Sequence, residues 1–129
     1  MHDELTKSLG LDFGPYPPEA YQFVREGLEH TAQAMHGDTP TKNDLTGVAN
    51  RHVDGRQLCL GLRDYAIEQF GLLALTVLRR WHIHRTEDFG RLVFNMVDAG
   101  LLSKTDDDQL SDFAGVYEFD EAFGLVEVG

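Results

Sequence analysis

The stretch from Leu72 to Leu102 constrains the fold more than any other, because it holds two apolar helix patterns separated only by Trp81-His82-Ile83-His84-Arg85. The second pattern is the clearest in the chain. Thr86 is placed as an N-cap, Glu87 and Asp88 fill the first turn where the helix dipole favours anions, and Gly100 stands where a glycine closes a helix in left-handed backbone. Between these signals Phe89, Leu92, Val93, Met96 and Val97 recur at helical spacing as one apolar stripe. The first pattern, Leu72 to Trp81, carries its own face in Ala74, Leu75, Val77, Leu78 and Trp81. Joined so closely, the two are read as a central helical hairpin that forms the core of a small all-α domain.

Three further helices are expected around that pair. Pro18 and Glu19 suit a first turn, and Ala20, Val24, Leu28, Ala32 and Met35 keep helical spacing, so helix one runs from about Pro18 to about Met35 and ends at Gly37. Helix two has the strongest start signal. Asp54 is the N-cap, Gln57 stands at N3 to return the capping bond, and Val53 and Leu58 occupy the positions of a hydrophobic staple. Gly71 divides this helix from the next. A short fifth helix is expected to begin in the acidic run Thr105 to Asp108 and to carry Leu110 and Phe113 on one side. Beyond Gly115 the order Val116-Tyr117-Glu118-Phe119-Asp120 alternates, which suggests short extended segments near the C-terminus. Residues 1–15 are read as a mobile or loosely docked arm, and residues 37–53 as a long irregular loop of the kind that is either functional or mobile.

At 129 residues the chain is sized for one domain with one core. Its start, Met1-His2-Asp3-Glu4, lacks the basic-then-apolar run of a signal peptide, and its longest apolar block, Leu72 to Leu75, is far too short to span a bilayer. A cytoplasmic protein without membrane contact is therefore expected. The single cysteine, Cys59, excludes an internal disulfide and a cysteine-cluster zinc site, and its apolar neighbours suggest a buried, inert thiol. Charge is unevenly laid out. The net value is −11, to which residues 1–50 contribute −5, residues 51–91 contribute +2 and residues 92–129 contribute −8. So acidic a chain is a poor general partner for polyanions, and its only basic region contains the candidate hairpin.

Taken together, Leu58, Gly61-x-Arg63-x-x-Ala66, Phe70-Gly71, Ala74-x-x-Val77-Leu78-x-x-Trp81, Ile83, Thr86-x-Asp88-Phe89-Gly90 and Gly100-Leu101-Leu102 resemble the pattern of a family of small uncharacterised bacterial proteins. The resemblance covers about residues 55–119 and brings no activity with it. It implies glycine as the usual residue where this chain has His82, which argues against His82 as an essential ligand.

No stretch carries a catalytic or cofactor signature, so catalytic and cofactor-binding residues are none. His82 and His84 flank Ile83 and point the same way in an extended linker, which makes them weak metal candidates with His52 or an acid as a third ligand. Asp106-Asp107-Asp108 lacks the spacing of a calcium loop and reads as an acidic first turn. Asp88-Phe89-Gly90 matches a kinase triplet in letters only, and Asp64 with Glu68 reads as a solvated helix face rather than a proton-sharing pair. A helix-turn-helix is the sharpest alternative on layout. However, the second helix offers DNA Glu87, Asp88, Asn95 and Asp98 against Arg91 alone, and no basic wing follows. The expected function is that of a non-catalytic helical domain working through protein contacts, with a protein partner or self-association. Its candidate interaction surface is Arg79, Arg80, His82, His84 and Arg85. A small enzyme with a cleft near the 37–53 loop is the alternative, and DNA binding is third. The acidic, aromatic segment from Asp106 onward is expected to dock beside those bases, either within one chain or on a second copy, held mainly by its apolar residues.

Overall fold

A computed structural model describes residues 15–37 and 52–124. These residues form an all-α fold with no strand among them: helices α1 (Pro18–His36), α2 (Gly55–Phe70), α3 (Ala74–Arg80), α4 (Thr86–Asp98) and α5 (Phe119–Gly124), with 3-10 turns at Gly71–Leu73 and Leu110–Phe113. No helix among the described residues is long and apolar enough to cross a membrane. The expected arm lies outside the described residues apart from Pro15, and the expected loop lies outside them apart from Gly37, His52 and Val53.

Helix α1 begins on Pro17-Pro18 with Glu19 in its first turn and is closed by Gly37 at φ 72°. Its buried residues include Ala20, Phe23, Val24, Gly27 and Thr31, at helical spacing, whereas Met35 at the far end is exposed. That face meets α2 in the most extensive helix contact of the described fold. Two glycines make the approach close. A Cβ on Gly61 would stand 1.9 Å from Thr31 Oγ1, and one on Gly27 would stand 2.3 Å from Leu62 Cδ2. Helix α2 opens on the expected capping box: Gln57 N donates to Asp54 Oδ1 at 2.8 Å, and Asp54 N donates to Gln57 Oε1 at 3.0 Å.

The helices on either side of the short linker do not pair as a hairpin. Helix α3 lies mainly on α2 and α5, and α4 mainly on α1 and the Leu110–Phe113 turn, so neither is the other's principal partner although both line one core. Leu78, Ile83, Phe89, Leu92 and Met96 are all wholly buried in that core, while Val93 and Trp81 lie at its edge. The apolar faces were correctly placed by periodicity; their partners are set by elements distant in sequence.

The acidic C-terminal segment docks within the same chain. Phe113, Phe119 and Phe123 are buried, and Phe119 lies 5.8 Å from the Phe89 ring and 5.1 Å from the Phe123 ring. Thr105 to Asp108 forms a turn, closed by Asp108 N donating to Thr105 O, and the helix expected there shortens to the 3-10 turn. The alternating run that suggested an extended segment leads into α5, because Phe119 and Phe123 stand one helical turn apart and bury together. Residues 125–129 lie outside the described residues.

Candidate functional site

The linker between α3 and α4 takes its shape from how α3 ends. His82 N donates to Arg79 O and Ile83 N to Leu78 O, both at 2.9 Å, and His82 sits at φ 67°. This is the two-bond glycine-type closure of a helix, with Ile83 and Leu78 both wholly buried in the core, but with histidine in the left-handed position. Helix α4 ends the same way on Gly100 at φ 80°, with Leu101 N donating to Met96 O at 2.8 Å and Gly100 N donating to Val97 O at 3.0 Å. The chain thus uses one motif twice and supplies glycine only once.

With Ile83 turned inward, His82 and His84 are both exposed, their ring centres 6.5 Å apart. The linker is not the extended segment expected, because His82 sits in left-handed backbone within the turn that closes α3. Among the described residues no group of three His, Cys, Asp or Glu side chains is arranged to hold a metal ion. His52, the suggested third ligand, has Nε2 3.2 Å from Asp108 Oδ1 instead.

Past His84 the backbone is fixed by Asp88. Its Oδ2 accepts from His84 N at 2.8 Å and Arg85 N at 3.2 Å, and its Oδ1 accepts from the Tyr16 hydroxyl and from Arg91 Nη1 at 3.3 Å. A buried carboxylate is tolerable here because four donors replace its water. Burial and then the Asp88 bond push the Tyr16 phenol up to about 12. Thr86 is not the N-cap. It is the first helical residue, its hydroxyl wholly buried, donating to Phe113 O at 2.6 Å and accepting from Val116 N at 3.2 Å. The threonine is diverted to tether the C-terminal segment, and Asp88 serves the helix start in its place.

The candidate surface residues sit at the end of α3 and on this hydrogen-bonded turn. Arg79, Arg80, His82, His84 and Arg85 are all exposed, at the end of α3 where the helix dipole favours cations. Arg79 Nη2 lies 3.2 Å from Asp120 Oδ1 on α5, an exposed pair. Neither Arg80 nor Arg85 engages an acid among the described residues through its guanidinium. At the other end of α3, Leu72 and Leu73 are 62% and 61% exposed. The helix expected from Leu72 therefore starts at Ala74, and Leu72 and Leu73 lie in the 3-10 turn before it, outside the core.

Other sequence candidates resolve into local structure. Asp64 Oδ1 takes the Arg63 Nε bond at 3.1 Å and Glu68 lies 3.5 Å from His30, so these two carboxylates are separately engaged. Asp108 accepts from Thr105 N at 2.9 Å, while Asp106 and Asp107 are exposed. On α4, Arg91 is held by Asp88, and Asn95 Nδ2 donates to Tyr21 Oη at 3.0 Å. The single cation of the would-be recognition helix is therefore committed to a carboxylate of the same helix. Cys59 is buried, and burial, reinforced by Glu87, pushes its thiol up to about 12, well away from a reactive thiolate. Comparison with protein-family models, curated proteins and solved structures finds no match for this chain.

Proposed function

We propose that this chain is a non-catalytic helical domain that works through protein contacts in the cytoplasm, using the outer side of α3 and the turn after it. The observation that carries the reading is the exposed group Arg79, Arg80, His82, His84 and Arg85, gathered on a fixed turn in a chain of net charge −11. Exposed leucines in the 3-10 turn that leads into the same short helix support it, since a partner gains most of its binding free energy from apolar contact and its register from charge. So does His82, whose side chain is presented from a backbone position that glycine would occupy at lower cost.

The test is affinity capture with the whole chain and with the double variant Arg80→Glu/Arg85→Glu. A stoichiometric protein partner that the whole chain retains and the variant loses is the expected result. Capture of no partner, or equal capture by both, refutes the reading.

A further inference from the structure

The chain already contains an example of what α3 binds. Helix α5 lies along one flank of α3, its Phe119 and Phe123 buried and its Asp120 reaching Arg79 at 3.2 Å. An acidic segment with apolar residues one helical turn apart is therefore a chemistry that α3 accepts. On the outer flank the same ingredients recur without an occupant among the described residues. Leu72 and Leu73 are exposed in the 3-10 turn that leads into α3, Thr76 within the helix and Arg80 at its end, with Arg85 beyond the turn. Residues 73 and 80 are seven apart, two helical turns or about 10 Å, a span that a short amphipathic helix covers.

Resting on the protein-contact reading above, we infer that this outer flank docks an acidic amphipathic segment of a partner protein, its apolar side on Leu72 and Leu73 and its carboxylates on Arg80 and Arg85. Charge selects the occupant. A nucleic acid would bring phosphates but nothing for the leucines, and would approach a molecule that is acidic nearly everywhere else. The fixed turn favours binding, because Ile83 and the Asp88 bonds already hold the backbone that carries the cations.

The experiment titrates the whole labelled chain with a short synthetic helical peptide that has leucine and phenylalanine on one face and glutamate on the other. Its counterpart has lysine for every glutamate. The expected result is saturable binding of the glutamate peptide alone, with amide shifts at Leu72, Leu73 and Arg80. Binding should weaken roughly tenfold or more in Arg80→Glu/Arg85→Glu, because reversal adds repulsion to the lost attraction. Leu72→Ser/Leu73→Ser should weaken it as well. Both variants alter exposed side chains, and unchanged melting checks that they fold. Equal binding of the two peptides, or of neither, overturns the inference. A concentration-dependent dimer abolished by the same substitutions places a second copy on the flank and also overturns it. Failure here with success in the affinity capture rejects the acidic partner class while leaving the protein-contact reading standing.

Discussion

Replacing His82 by glycine should make the protein more stable, although it removes a side chain. His82 holds φ 67°, where a Cβ crowds the following carbonyl at a cost of about 1–2 kcal/mol. Glycine removes that cost and gives back about 0.4–1 kcal/mol through the greater freedom of its unfolded chain. The imidazole is exposed, and among the described residues its ring contact is with His84, so its own contribution is within the roughly 0.5 kcal/mol typical of surface changes. The net expectation is a gain of about 0.5–1 kcal/mol, or about 2–5 °C in melting temperature for a domain of this size. His82→Ala is the control, because it removes the ring but keeps the Cβ. Chemical denaturation of the three proteins decides between them. If His82→Gly and His82→Ala are equally stable, or if glycine lowers stability, then the left-handed backbone is not strained and the helix-closure argument fails.

Four other outcomes follow from the packing. Phe89→Ala empties a wholly buried site and should cost about 3–5 kcal/mol by chemical denaturation, whereas a loss near the surface range would place the stripe outside the core. Asp54→Ala removes one half of a reciprocal cap and should cost about 1 kcal/mol, and no measurable change would show that the cap adds nothing. A chain ended at Thr105 loses Phe113, Phe119 and Phe123, each worth about 1.5–3 kcal/mol on full burial. It should bind a hydrophobic dye and lose its cooperative transition; a transition like that of the whole chain contradicts the docking. The Cys59 thiol should resist a thiol reagent in the native protein near pH 8 and react once the chain is denatured, since its folded-state value of about 12 leaves it protonated there; rapid native labelling would contradict the burial.

Local chemistry was legible in the sequence where the residue types fit a known short-range signature, and not where an atypical residue fills the role, as His82 does in closing α3 and Asp88 at the start of α4. The Asp54–Gln57 box and the Gly100 closure are of the first kind, and both form as their spacing suggests. Apolar periodicity likewise found the buried face of α4. What periodicity cannot supply is the identity of the surface a face meets. Two adjacent amphipathic helices look like a hairpin until a third element offers each a better partner, here α2 for α3 and the Leu110–Phe113 turn for α4. Thr86 was misread for a related reason: its residue type suits a cap, and only the fold shows that Phe113 and Val116 claim the hydroxyl. Tyr16 and Asp88 are 72 positions apart, and nothing in either neighbourhood announces the bond between them. In the candidate site, the gathering of bases was visible from the sequence, whereas the exposure of Leu72 and Leu73 was not, because an apolar pair at a helix start ordinarily signals burial.

Phe113 sits against two glycines, with its ring atoms 2.9 Å from a would-be Cβ on Gly55 and 2.8 Å from one on Gly90. These are the first residue of α2 and the fifth of α4. One side chain from the C-terminal segment therefore seals a seam between helices made much earlier in the chain. During synthesis the ribosome delivers α1 to α4 before the ring that closes them, so a nascent chain passes through an interval in which its helices exist and its core is still wet. The bond joining residues 58 positions apart, from the Tyr117 hydroxyl to Cys59 O, waits for the same late segment. The time for which apolar surface stays open to chaperones, proteases or other nascent chains is then set by how promptly this late aromatic segment arrives.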